Sequence, residues 1–169
     1  LLVLPYHRIL AEGPSLAEVR KRLEPHFDLA ESPDVRAAAR AVAASTRPYA
    51  FALAQPGAGA LVAESRDGAP TLVPADAPES LRALDTYFLH QAVLGRLLEI
   101  PESAVRYVHS LGEAEEAVAK KTARLAVLLR ATPVKQIVDV SEAGESMPAK
   151  STFFHPKLPS GLVIHPLVV

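Results

Sequence analysis

The run Leu125-Ala126-Val127-Leu128-Leu129 is apolar at every position and is closed on either side by Arg124 and Arg130. A strand with one solvated face alternates polar and apolar residues, so a strand apolar on both faces belongs inside a sheet. It predicts a central strand covered by helices on at least one side, with Leu125, Val127 and Leu129 sharing one buried face. A helix is the alternative for so short an apolar run.

The remaining chain reads as an α+β domain built to surround that strand. Leu1 to Leu4 suggests a buried strand that stops at Pro5 and delivers Tyr6, His7 and Arg8 at its end. Pro14-Ser15 opens a helix with Leu16, Val19 and Leu23 on one face and Glu18 and Arg22 as an i,i+4 pair on the other. Phe27 to Ala30 reads as a short strand. Ser32 followed by Pro33 reads as an N-cap with proline at the first helical position, opening an alanine-rich helix to about Ala44. Tyr49 to Leu53, Ala60 to Glu64 and Thr71 to Val73, joined by Pro56-Gly57-Ala58-Gly59 and Arg66-Asp67-Gly68, predict an antiparallel meander over about 49–73. Asp85 reads as the cap of a helix whose Leu89, Ala92, Val93 and Leu97 form a stripe, with His90 beside it as a hydrogen-bonded structural histidine. A strand at Val105 to His109, a helix at Gly112 to Lys121, the central strand, and a helix capped by Thr132-Pro133 and ended by Gly144 complete a strand-helix-strand-helix second half. Leu162 to Pro166 reads as a last strand. The expected architecture is one α+β domain over 1–169, a mixed sheet with helices packed on it.

Charge excludes more than it suggests. With 18 Lys and Arg against 19 Asp and Glu, no basic field points to nucleic acid and no acidic excess to disorder. Without cysteine, the chain has no disulfide framework and no thiolate ligand or nucleophile, which fits a reducing, cytoplasmic setting. No apolar run reaches the roughly eighteen residues of a membrane span. The first residue is Leu, and Leu1 to Leu4 reads as a strand entered from upstream, so the chain is expected to be the C-terminal portion of a longer polypeptide.

Candidate chemistry concentrates in Met147 to Gly161, reading MPAKSTFFHPKLPSG. Its three prolines remove amide donors and bias their predecessors toward extended backbone, so the segment is a shaped loop. Lys150 supplies a cation, Ser151 and Thr152 hydroxyls, Lys157 a second cation, and a turn through Ser160-Gly161 backbone donors, a set suited to phosphate or carboxylate. His7, Arg8 and His109 are candidates to face it across a cleft, where histidine would move protons and arginine clamp an anion. The competing reading is a strap, with Phe153 and Phe154 plugging the core and the polar groups satisfying an irregular backbone. His7, His26, His90, His109, His155 and His165 show no zinc-type spacing, and no G-x-S-x-G marks a serine hydrolase. No cofactor is implied by any motif, and no nucleophile, base and substrate site are fixed together.

Several segments carry a resemblance: Leu4-Pro5-Tyr6-His7-Arg8, Leu84-Asp85, Leu97-Leu98-Glu99-Ile100, Arg106-Tyr107-Val108-His109, Ala143-Gly144-Glu145, and above all the pair Met147-Pro148-x-Lys150-Ser151-Thr152 and Pro156-Lys157-x-x-Ser160-Gly161. The chain resembles the C-terminal part of a widespread bacterial and archaeal family, domain of unknown function one thousand and fifteen. His155 departs from it, since a tyrosine is commoner there. The resemblance implies a longer protein whose upstream segment carries an Asp-Gly-His-His-Arg motif like the phosphate-handling motif of the chromosome-partitioning and sulfiredoxin fold, where some relatives phosphorylate free serine. That motif is absent from this chain. The resulting expectation is the C-terminal half of a small-molecule, phosphoryl-transfer enzyme that contributes an anion-binding loop, inactive in isolation and completed by the upstream portion. The alternative is a non-catalytic ligand-binding or dimerisation module, and a homo-oligomer is compatible with both.

Overall fold

The computed structural model describes residues 2–157. Two sheets are present among them. β1 (Leu2–Leu4) pairs with β8 (Phe153–His155), and six strands form the main sheet: β2 (His7–Leu10), β3 (Phe27–Ser32), β4 (Ala50–Gln55), β5 (Gly59–Ser65), β6 (Val105–Val108) and β7 (Leu125–Leu129). Their order is β3-β5-β4-β7-β2-β6. The α+β class is therefore what the sequence pattern indicates. Every described ladder, however, is antiparallel, so the sheet is not mixed.

The reason lies in where the helical crossovers land. The strand-helix-strand run β6, α5 (Leu111–Ala119), β7 does keep its two strands parallel, but β2 lies between them and pairs antiparallel to each. β3, α2 (Val35–Ala44) and β4 repeat the device around β5. The molecule thus holds two split β-α-β units side by side. The same insertion corrects the predicted meander. β5 has β3 on one side and β4 on the other, which leaves no free edge for a strand at 71–73. Ala69–Leu72 instead forms a 3-10 turn, in which Thr71 Oγ1 donates to the Gly68 carbonyl at 2.8 Å.

β7 is buried at all five positions and sits between β4 and β2, as its composition requires. Strand alternation splits its side chains between two cores. Leu125, Val127 and Leu129 join Leu10, Phe51, Leu53, Leu61, Phe27 and Phe88 under α1 (Leu16–Leu23) and the helix that begins at Asp85. Ala126 and Leu128 face α2 and α5, on a surface paved by Ala50, Ala52, Ala54 and Ala60. Small side chains let a helix approach the sheet closely.

Local chemistry fixes several boundaries. Ser15 and Glu18 form a reciprocal capping box at α1, with Ser15 N donating to Glu18 Oε2 at 2.7 Å, so Glu18 serves the cap rather than pairing with Arg22. Arg22 turns to Glu99 at 3.2 Å. Asp34, and not Ser32, caps α2 by accepting from Ala37 N at 2.7 Å, while Ser32 remains the last residue of β3. The helix from Asp85 is α-helical only over α4 (Asp85–Phe88), which follows the single turn α3 (Glu79–Arg82), and continues as a π-helical segment, Leu89–Leu97. Leu84 is its N-cap position and makes no side-chain cap, while Asp85 lies in the first turn. The wider turn adds Leu94 to the buried set. Gly95 suits this geometry, because a Cβ there would stand 3.0 Å from the His90 carbonyl oxygen five residues back. α6 (Val134–Glu142) ends at Gly144, whose φ of 73° is the left-handed value that glycine accepts. The predicted strand at Leu162 to Pro166 lies outside the described residues.

Candidate functional site

Pro5 separates β1 from β2, and the chain changes sheets there. His7 and Arg8 consequently do not end an exposed strand. They begin β2, and both are buried, with Arg8 at 0% exposure. β1 is the more exposed element, Leu2 being 61% accessible. Because successive strand residues point to opposite faces, His7 and Arg8 go to different cores.

Arg8 enters the face covered by the π-helical segment. Its Nε donates to His90 Nε2 at 3.2 Å, Nη1 to the Tyr6 carbonyl at 2.5 Å and Nη2 to the Lys150 carbonyl at 3.3 Å. The guanidinium carbon lies 5.2 Å from the centroid of Tyr107, its cross-strand neighbour. No carboxylate of the described residues forms an ion pair with it. Burial accordingly lowers its pKa to about 10. His90 Nε2 accepts a hydrogen bond from the Arg8 Nε–H and must be unprotonated to do so, which agrees with a pKa lowered to about 4, first by burial and then by Arg8. It is the hydrogen-bonded structural histidine that its position beside an apolar stripe indicates.

His7 takes the opposite side. Its Nδ1 accepts from the Leu129 amide at 3.3 Å, and burial, followed by Arg8, lowers its pKa to about 4. Thus His7 and Arg8 do not present side chains to one shared ligand.

The loop that follows α6 turns back over this end of the sheet. Lys150 adopts a φ of 57°, leaving its carbonyl on Arg8 and its exposed ammonium 5.4 Å from the Tyr6 ring centroid. Ser151 is buried and wholly engaged: its Oγ donates to the Pro148 carbonyl at 2.7 Å and lies 3.1 Å from Thr86 Oγ1. Its own carbonyl accepts from Thr132 Oγ1 at 3.1 Å. Thr132 therefore ties the loop down and does not cap α6, whose N-cap position is Pro133. Residues 148–152 hold the strap together, and Lys150 is the member whose charged end remains outside. Thr152 is half-buried.

Phe153 is the hub of the exposed side. Its ring meets Tyr6 at 5.7 Å, His109 at 4.9 Å and His155 at 6.2 Å between centroids, and Lys157 Nζ lies 5.9 Å from it. Phe153 is half-buried, and Phe154 is 42% exposed, so this pair does not plug the core. His109 follows β6, with Nδ1 2.9 Å from Glu113 Oε1 at the start of α5. Lys150, Lys157 and His109 thus converge on the Tyr6 and Phe153 rings, whereas His7, Arg8 and Ser151 are interior. Ser160 and Gly161 lie outside the described residues. Among the described residues no group of three His, Cys, Asp or Glu side chains is placed to hold a metal ion. Nor is any described helix long and apolar enough to cross a membrane.

Sequence patterns did not show which partners Tyr107, His90 and Asp85 would find. Tyr107 and His90 become partners of Arg8 only through strand register and helix packing, 99 and 82 residues away. Asp85 binds Arg130 through two contacts, at 2.6 and 3.1 Å, and Arg130 also donates to the carbonyls of Ser45, Arg47 and Pro48. Burial raises the Asp85 pKa in spite of that guanidinium.

No family model and no curated protein matches the chain. Two solved structures, of two mutants of a free serine kinase each in complex with AMP, are similar to it. For the first the TM-score is 0.48 at 17% identity, over 89% of this chain and 52% of that one. For the second the values are 0.46 and 18%, over 90% and 53%. The chain spans about half the length of these structures.

Proposed function

We propose that this chain is the ligand-binding portion of a longer small-molecule enzyme of the phosphoryl-transfer class, and that it takes the anionic part of its ligand on the surface formed by Lys150, Lys157, Tyr6, Phe153 and His109. One observation supports the reading above others. Two lysines, neither in an ion pair with a described carboxylate, stand beside the same pair of aromatic rings. Half-buried rings at the surface offer a ligand an edge to pack on, and the flanking ammonium groups offer charge to its phosphate. Arg8 is a positioning residue in this scheme, fixing the Lys150 backbone from below. The sequence resemblance to a family with an upstream phosphate-handling motif points in the same direction, and the residues of chemistry would then belong to that upstream portion.

The test is a thermal-shift and calorimetric screen of nucleotides, serine and phosphorylated metabolites, on this chain and on the longer polypeptide. Lys150→Ala and Lys157→Ala should each weaken the bound phosphorylated ligand by about 1.5 to 3 kcal/mol, as loss of a charge-assisted hydrogen bond does. Unfolding would be absent. Binding unchanged in both variants would defeat the proposal.

A second reading, a non-catalytic or dimerisation module, has its own support on α6, where Val134 and Val138 lie one turn apart at 61% and 45% exposure. Light scattering over a concentration series separates the two. A dimer abolished by Val138→Lys would favour the module.

A further inference from the structure

Beyond the strap, a different part of the molecule carries unpaired positive charge. Leaving β5, the chain makes the 3-10 turn at Ala69–Leu72 and continues through Val73, Pro74 and Ala75. That segment faces α3 and the π-helical segment, and together they bound a cavity of about 580 Å³. The volume falls in the range of small-molecule sites, roughly 300 to 1,000 Å³. Leu72, Val73 and Pro74 supply apolar wall, and Arg82, Arg96 and Gln91 supply the polar groups.

The lining contains two arginines and no carboxylate. Among the described residues Arg20, Arg22, Arg36, Arg47, Arg66 and Arg130 each meet an Asp or Glu, and Arg82 and Arg96, like Arg8, do not. Arg96, an exposed residue, has a single bond among the described residues, Nη1 to the Leu72 carbonyl at 3.3 Å, which holds it at the cavity and leaves its other donors to solvent or a ligand. Arg82 is the more telling case. Its Nε is buried without a hydrogen-bond partner among the described residues. A buried N–H left unpaired is costly, and two guanidinium groups around one cavity repel each other. An anion between the two guanidinium groups offsets that repulsion. Gln91, one residue beyond the His90 that holds Arg8, places an amide on the same wall.

We infer that this cavity is a second binding site, for a small molecule whose phosphate or carboxylate group is clamped by Arg82 and Arg96 while its less polar part lies against Leu72, Val73 and Pro74. Arginine fits either head group by paired, parallel N–H donors. The site shares no residue with the Lys150 and Lys157 surface, so it stands or falls independently.

The experiment uses the chain carrying Lys150→Ala and Lys157→Ala, which removes the other surface from the isotherm. Titration calorimetry follows with inorganic pyrophosphate, with succinate, and with glucose as a neutral control. The expected result is saturable binding of pyrophosphate or succinate, and the one that binds identifies the head group. Adding Arg96→Gln or Arg82→Lys should weaken it at least ten-fold, with glucose inert throughout. Should Arg82→Lys fail to fold, Arg96→Gln, at an exposed position, decides alone. The inference is overturned if neither anion binds to the Lys150→Ala, Lys157→Ala variant, or if binding survives Arg96→Gln unchanged.

Discussion

Arg8 is a charge placed where charge is expensive, held by two carbonyls, an imidazole and a ring face. Such a cation is retained because its acceptors would otherwise be buried unpaired. Arg8→Met should therefore lower stability by about 1 to 3 kcal/mol, since at least the His90 nitrogen and the Lys150 carbonyl lose their donor. It should also free the strap, which limited proteolysis at Lys150 would register as faster cleavage. Unaltered cleavage would mean that Thr132 and Thr86 hold the loop unaided. His7 and His90 make a second residue-scale case. Both fold with pKa values near 4, against 6.5 for the free side chain, so between those limits the unfolded chain binds more protons than the folded one. Stability must then fall as pH drops from about 6.5 toward 4, and be fully present above that window. Urea unfolding at pH 7, 6 and 5 measures the slope. The pair His7→Asn and His90→Gln should flatten it, and a wild-type curve already flat over this range would contradict the assignment. None of this was visible in Tyr6-His7-Arg8 as a string, because the burial of these residues depends on Pro5 ending one sheet and β2 entering another.

Elements whose signals are local matched the sequence reading: the helix start at Pro14-Ser15, the Gly144 terminus, and β7 with its unbroken apolar run. Failures came where a partner distant in sequence decides. The segment 71–73 has strand-like residues but no free edge, since β3 returns to occupy it. Thr132 has a capping side chain that the strap claims first. Asp85 has the chemistry of a helix cap, yet its carboxylate reaches across to Arg130. That pair is largely buried, with side-chain exposures of 20% and 14%, and removing one member leaves the other charge uncompensated. Asp85→Ala should cost about 3 to 5 kcal/mol by denaturant unfolding, whereas replacing both members with apolar residues should cost less. Equal losses for the single and double variants would show that the carbonyls of Ser45, Arg47 and Pro48 suffice to hold Arg130. On the opposite face, Ala126 is fully buried in the alanine pavement under α2 and α5. Ala126→Leu there should destabilise by about 1 to 3 kcal/mol, although a leucine suits a strand and occupies the neighbouring position.

At the scale of the molecule, the two split β-α-β units meet where β4 pairs with β7, so the middle of the sheet is built by residues some seventy-five positions apart. A ladder of such non-local pairs cannot open from one end without exposing both cores. The candidate surface sits at the other extreme, beside the edge strand β6 and on the small β1-β8 sheet, where fewer contacts restrain the chain. This arrangement predicts an ordering of amide exchange. The amides of Ala52, Leu53, Val127 and Leu128 should exchange only through global unfolding, with protection equal to the full stability. Amides of β8 and of the edge strand β6 should exchange through smaller openings, at free energies below the global value. Binding of an anion at Lys150 and Lys157 should raise protection in β8 first, while binding at Arg82 and Arg96 should raise it in the π-helical segment and leave β8 unchanged. Native-state hydrogen exchange read by mass spectrometry resolves these segments in one experiment. Protection that rises uniformly with either ligand would indicate that the molecule opens as a single unit and that the surface has no independent mobility.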